Sequence, residues 1–403
     1  MVKLERFWRR FQSAPTTQQN AIHIRQAFTS KDFYSSDVIA VLQALRDDSD
    51  ASSAAIRVYA EGSQSYALAD RVIHDPPRQS ENLEEWSARI SEGRTFGLIL
   101  NYAEQWNDDL SRKLALFLRP LHEDNAVEKY TFEVNLFIGN YGYTPFGAHW
   151  DDRYANIIHL HLGPNPKTIT LWSPAKFKRI TGSDRSHFHP ETIVKFGRSY
   201  RLKSGDLFLL PPNYFHVGLT RNFSVGLAVV ISPQTPNRIL QAALAAASEE
   251  LASKFPLSSS ATLERGMTSA RRAISQSRET LPGWMTTSVD RYLVQQRSLL
   301  GFCTKPRERA GRVRITRNKR VALSVPFKIC SFKELDTLRL FVRGTEITLR
   351  ANSAVEDLVR RINSGDVLLL KDLIARYSEQ LEEKAILHLV SLIYKYRGID
   401  IAE

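Results

Sequence analysis

The chain has 403 residues, 43% of them hydrophobic and 24% charged, with a net charge of +12. That balance excludes wholesale disorder, and the length suits two or three domains. No run approaches the roughly 20 apolar residues of a membrane span, and two cysteines, Cys303 and Cys330, exclude a disulfide scaffold or a four-thiolate zinc site. The basic start lacks a following apolar h-region, so a reduced, cytoplasmic protein is expected. The positive charge points to an acidic partner, either nucleic acid or an assembly rich in it.

Residues 1 to about 60 mix polar tracts (13–20, 47–53) with short apolar stretches such as 38–42, and are read as small helices and loops. Residues 84–90 read as a helix ending before Gly93, and 96–100 as a buried strand. Helical spacing follows over 107–121, with Leu110, Leu114, Leu116 and Phe117 apolar and Asn107 or Asp108 as N-cap. From Tyr130 the pattern turns to short apolar runs bounded by Gly, Pro and Asn, at 132–138, 156–162, 168–172, 206–210 and 224–231. Such spacing predicts a sandwich or barrel, with Gly163-Pro-Asn-Pro as a hairpin loop. Helix returns at 239–251 and again between 268 and 300. The stretch 305–320 is basic and reads as a boundary, a solvated linker or a grip for RNA or an acidic peptide. Two strands (338–342, 345–349) and three helices (353–362, 368–377, 382–396) then match the arithmetic of a winged helix.

The sharpest chemical signal is His149-Trp-Asp151 followed by His216. On a strand, residues i and i+2 share a face, so His149 and Asp151 meet one ion while Trp150 faces away. Two imidazoles and one carboxylate on one face leave coordination positions open, as in non-haem Fe(II) oxygenases. The segment Ser204-Gly-Asp-Leu-Phe-Leu-Leu-Pro-Pro-Asn-Tyr-Phe-His216 reads as turn, strand and bend, which sets His216 at a barrel rim. His159 and His161 share one strand face, as packed histidines or as pocket lining. His187-Phe-His189 reads as a solvated loop, and Trp150 and Trp172 as core, with Trp150 also a substrate-pocket residue.

Val134-Asn-Leu-Phe-Ile138, Phe146-Gly-Ala-His-Trp-Asp-Asp152 and the 205–216 segment resemble the JmjC-type, cupin-fold 2-oxoglutarate oxygenases, above all the ribosomal-protein hydroxylases and, more distantly, the asparaginyl hydroxylase of a hypoxia factor. The resemblance covers about residues 85–235. It implies a double-stranded β-helix with His149, Asp151 and His216 as Fe(II) ligands, 2-oxoglutarate as cosubstrate and O2 as oxidant. Lys167 stands where many of these enzymes carry the lysine for the distal carboxylate of 2-oxoglutarate, an anion that needs a partner when buried. Asn135, Thr144 and Ser224 match positions lining the cosubstrate pocket in relatives. Two positions depart from the pattern: Phe137 where the ribosomal group often has tyrosine, and Ala228 where the bacterial arginine hydroxylases carry arginine.

The expected architecture is therefore α+β: an N-terminal helical and loop region (1–84), a JmjC/cupin domain (85–235), a helical and dimerising region (236–304), a basic linker (305–336) and a winged-helix-like domain (337–403). The expected activity is hydroxylation of a side chain in a protein or peptide, either a ribosomal protein or a ribosomally made precursor whose leader the C-terminal domain would bind. An alternative class is a cupin sensor fused to a DNA-binding winged helix, although the terminal helices show no solid arginine face. A metal-dependent cupin isomerase is a third.

Overall fold

The computed structural model describes residues 2–13, 20–29, 32–33, 35–46, 55–122, 129–151, 154–254, 275, 281–311 and 313–402. The polar tract 47–53, most of the tract 13–20 and most of residues 255–280 lie outside them. Two compact units result, the first formed by 1–126, 130–233 and 302–307, the second by 127–129, 234–301 and 308–403.

Among its described residues the first unit has twelve strands: β1 (Ile22–Ile24), β2 (Ile56–Ala60), β3 (Ser63–Gln64), β4 (Phe96–Leu100), β5 (Tyr130–Gly139), β6 (Gly142–Tyr143), β7 (Asn156–Pro164), β8 (Lys167–Trp172), β9 (Arg198–Leu202), β10 (Asp206–Leu210), β11 (Phe215–Thr220) and β12 (Ser224–Pro233). They form an eight-stranded sheet, β1-β10-β7-β12-β5-β4-β2-β3, and a four-stranded sheet, β6-β11-β8-β9, with antiparallel pairing throughout. One cavity draws its lining from both sheets, so their inner faces oppose one another. Period-two alternation dictates which residues reach it. On β5, Glu133, Asn135 and Phe137 line the cavity while Phe132, Val134, Leu136 and Ile138 are buried on the other face.

Strands 96–100 and 206–210 have the bounds expected from sequence, and the helix Asp108–Phe117 is capped by Asn107, whose side chain accepts from Leu110 N–H at 2.7 Å. Two expectations fail. Gly163-Pro-Asn-Pro is not a hairpin: β7 pairs with β10 and β12, β8 with β9 and β11, so the turn carries the chain from one sheet to the other. Gly163, at φ 93°, supplies the left-handed backbone for that corner. Residues 1–84 are not only helix and loop, because β1 extends one end of the large sheet and β2 and β3 the other. Long-range pairing of Ile56–Ala60 with Phe96–Leu100 makes that strand, not any local pattern.

Glu104 is 2% exposed and accepts from Val134 N–H at 3.2 Å and from the Thr304 hydroxyl at 2.8 Å. Burial pushes its carboxyl up to about 8. The folded chain therefore holds this proton where the unfolded chain releases it, and stability present below the ordinary glutamate value is lost as pH rises through 8. In urea unfolding, the midpoint is expected to fall between pH 6 and 8.5, with a loss of up to about 1.4 kcal/mol per pH unit. Glu104→Gln should flatten that slope, and an unchanged slope would show that this carboxyl is not the titrating group.

In the second unit the helices Pro236–Lys254 and Leu281–Leu299 pack on each other. The remainder holds β13 (Arg320–Leu323), β14 (Cys330–Glu334), β15 (Thr337–Val342), β16 (Thr345–Arg350), β17 (Leu368–Leu369) and β18 (Ile399–Ala402), in two three-stranded sheets, β17-β13-β18 and β14-β15-β16. Residues 305–336 are thus not wholly a linker: β13 and β14 lie within them, drawn in because Val321, Leu323 and Ile329 bury into the C-terminal core. The helices Ser353–Ile362, Leu370–Tyr377 and Glu383–Lys395 contribute Leu358, Ile362, Leu370, Val390 and Ile393 to the same core.

Candidate functional site

His149 is not on a regular strand. An isolated antiparallel bridge pairs it with His216: His149 N–H donates to His216 O at 3.0 Å, and His216 N–H donates to His149 O at 2.7 Å. The bridge sets the two rings 4.5 Å apart, and Asp151 follows in irregular chain. One Asp151 oxygen lies 3.6 Å from His149 Nε2 and the other 3.5 Å from His216 Nε2. One donor atom from each of the three residues falls within 4.8 Å of the others.

The electrostatics suit a cation. His149 Nδ1–H donates to Gly147 O at 2.9 Å, which turns Nε2 toward Asp151. Burial, and then the charge of His149, push His216 down to about 4, so its ring is neutral. Burial alone would raise the Asp151 carboxyl, but the two imidazoles hold it below the usual carboxylate range. Burial likewise opposes protonation of His149, yet the Asp151 carboxylate raises it. An ionised carboxylate between two inward nitrogens is a donor set that a divalent metal completes.

The trio opens into the cavity of about 230 Å3. Lys167, the first residue of β8, points into it and is 8% exposed. Its Nζ donates to the Tyr141 hydroxyl at 3.3 Å and lies 4.8 Å from the Phe137 ring centre, and no carboxylate among the described residues pairs with it. Gly218, two residues beyond His216 on β11, makes the room: a Cβ there would lie 2.9 Å from Lys167 Cε and 2.9 Å from Thr144 Oγ1. Thr144 Oγ1 also accepts from Gly218 N–H at 3.1 Å. Asn135 and His159 line the same cavity. The buried His159 Nε2 has no partner, and burial, followed by the Lys167 charge, pushes this ring well below its usual value, so it stays neutral.

Three residues expected here line no part of the cavity. Ser224 begins β12 opposite Gly139 and Pro164, at the end of the sheet. His161, 2% exposed, uses Nε2 on Asn165 O at 2.8 Å. Trp150 points the other way and stacks on Phe215, ring centres 5.5 Å apart and planes 7° apart. The sequence reading missed Arg57 of β2, Asn101 and Glu133, all of which line the cavity. Glu133 could have been found by alternation with Asn135, whereas Arg57 stands out only as a lone charge in an apolar run.

No protein-family model matches the chain, and no curated protein matches it. Among solved structures the fold resembles YcfD, a ribosomal oxygenase from Escherichia coli. The form with cobalt and 2-oxoglutarate gives a TM-score of 0.50 at 10% identity, covering 98% of each chain. The form with cobalt and succinic acid gives 0.52 at 10% identity and the same coverage. A further E. coli YcfD structure gives 0.53 at 11% identity, again over 98% of each chain. At such identity the likeness shows the fold alone: mixed helix and antiparallel sheet, α+β.

Proposed function

We propose that the chain is an Fe(II)/2-oxoglutarate-dependent oxygenase that hydroxylates a side chain of a ribosomal protein. One observation carries this reading: the His149, Asp151 and His216 donors share a cavity with Lys167, a buried cation that pairs with no carboxylate among the described residues. A binding module needs neither, and a metal-only isomerase leaves Lys167 unexplained. The likeness to a ribosomal oxygenase that binds cobalt and 2-oxoglutarate supports the same cosubstrate and substrate class here.

On this reading the core is a double-stranded β-helix in which His149, Asp151 and His216 hold Fe(II), which supplies the oxidising chemistry with O2. Lys167 pairs with the distal carboxylate of 2-oxoglutarate, and Thr144 and Asn135 offer it hydrogen bonds. Apolar walls from Ile157, Ile169, Ala228 and Val230 exclude water around that ion pair. Residues 337–403 serve as a winged-helix-like domain that recognises the substrate protein, and residues 236–304 dimerise. Leu240 and Leu244, one turn apart and each 45% exposed on the helix Pro236–Lys254, support the second assignment. Among the described residues no helix is long and apolar enough to cross a membrane.

The test is incubation with purified ribosomal proteins, Fe(II), 2-oxoglutarate and O2. One residue should gain the mass of one oxygen atom, matched by succinate. Unmodified proteins with 2-oxoglutarate intact would contradict the proposal.

A further inference from the structure

Arg57 is a second cation in the lining of the cavity, besides Lys167. Arg57 enters from β2, at the part of the large sheet beyond β5 and β4, while Lys167 enters from the opposing sheet. The two address different sides of the ligand trio. Lys167 packs at Gly218, on the strand of His216. The Arg57 guanidinium lies 4.9 Å from the centre of the Phe146 ring, which is itself 5.4 Å from the His149 ring.

Arg57 is built in but not satisfied. Its Nη2 donates to Asn101 Oδ1 at 3.3 Å, and its buried Nε–H has no partner among the described residues. No carboxylate pairs with it among the described residues. On β5, across β4 from β2, Glu133 and Asn135 line the same cavity; burial raises the Glu133 carboxyl and the Arg57 charge opposes that rise, while the buried Asn135 Oδ1 has no partner among the described residues. The cavity wall therefore presents an unmet N–H donor together with an unmet oxygen acceptor and a carboxylate.

Charge selects what fits between them. With Fe(II), Asp151 and the keto acid end of 2-oxoglutarate balanced, and Lys167 balanced by the distal carboxylate, Arg57 and Glu133 remain as one positive and one negative charge. A neutral ligand keeps the enclosed site balanced, whereas an added guanidinium or ammonium would face Arg57 in low dielectric. A primary carboxamide offers an oxygen to Arg57 and N–H groups to Asn135 and Glu133 at once.

We infer that Arg57, Glu133 and Asn135 form the subsite for the side chain to be oxidised, and that this side chain is uncharged and ends in a carboxamide. The inference rests on the oxygenase reading, and it makes Arg57 a determinant against cationic side chains.

The test uses the full chain loaded with Co(II) and 2-oxoglutarate, with both affinities measured first by calorimetry for wild type, Arg57→Met and Arg57→Lys. Failure of wild type to bind either one sinks the oxygenase reading itself. Given binding, proton relaxation by the paramagnetic Co(II) is read on three probes: propionamide, propionate and methylguanidinium. The expected result is relaxation of propionamide well above the other two, reduced several-fold in Arg57→Met and partly restored in Arg57→Lys, with 2-oxoglutarate affinity within about twofold of wild type in both. Equal or stronger relaxation of methylguanidinium or propionate, relaxation of no probe, or loss of 2-oxoglutarate binding in Arg57→Met would overturn the inference. The last would make Arg57 the cosubstrate anchor.

Discussion

Asp151→Asn is expected to weaken divalent-metal binding by more than about 100-fold, beyond the cost of losing an outer-shell partner of a metal ligand. The carboxylate is the one anion of the trio, and its two oxygens lie 3.6 and 3.5 Å from the facing imidazole nitrogens. Asparagine keeps the shape but presents an amide that is neutral and a poor donor to a hard cation. The rings themselves are held by other means, namely the His149–His216 backbone bridge and the His149 bond to Gly147. The variant should therefore fold, with its thermal transition near that of the metal-free wild type. Titration with Co(II), followed by its visible absorption, reads the loss. Undiminished binding would place the metal elsewhere.

Lys167→Met should weaken 2-oxoglutarate binding by roughly 100- to 1,000-fold while metal binding persists. The lysine is buried with a phenol and an aromatic ring for company, so nothing else in its surroundings neutralises an incoming carboxylate. His159 cannot substitute, because its buried ring stays neutral. Leaving one partner of a buried ion pair without the other costs about 3–5 kcal/mol, enough for that factor or more. Gly218→Val tests the same point without touching the charge. Its added atoms begin 2.9 Å from Lys167 Cε and from Thr144 Oγ1, so the ammonium group must move and the affinity should fall with it. Unchanged affinity in Lys167→Met would leave Arg57 as the anchor.

The grouping of His149, Asp151 and His216 was legible because its spacing is local: His149 and Asp151 are two residues apart, and His216 ends a segment whose turn, strand and bend are each announced by Gly, apolar residues and Pro. Even there the expected strand proved to be a single bridge, with Asp151 beyond it. Arg57 was hidden because β2 exists through pairing with β4 some 40 residues later, as in Ile56↔Leu100, and no local pattern encodes that partner. Gly163 illustrates the same limit. Its turn chemistry was readable, but whether the flanking strands pair with each other or join different sheets is decided by β10, β11 and β12. Ser224 and His161 had suitable positions along their strands, yet both sit at the end of the large sheet beyond the cavity. The strands inside 305–336 were masked by an arginine-rich composition that conceals Val321, Leu323 and Ile329 as core.

The most direct test of the central claim is an anaerobic calorimetric titration of 2-oxoglutarate into the full chain with and without Fe(II). The cavity geometry predicts one cosubstrate per chain at micromolar affinity with iron present, and binding weakened at least tenfold without it. No binding to the iron-loaded protein, or binding indifferent to iron, would contradict the claim that His149, Asp151, His216 and Lys167 together form an oxygenase site.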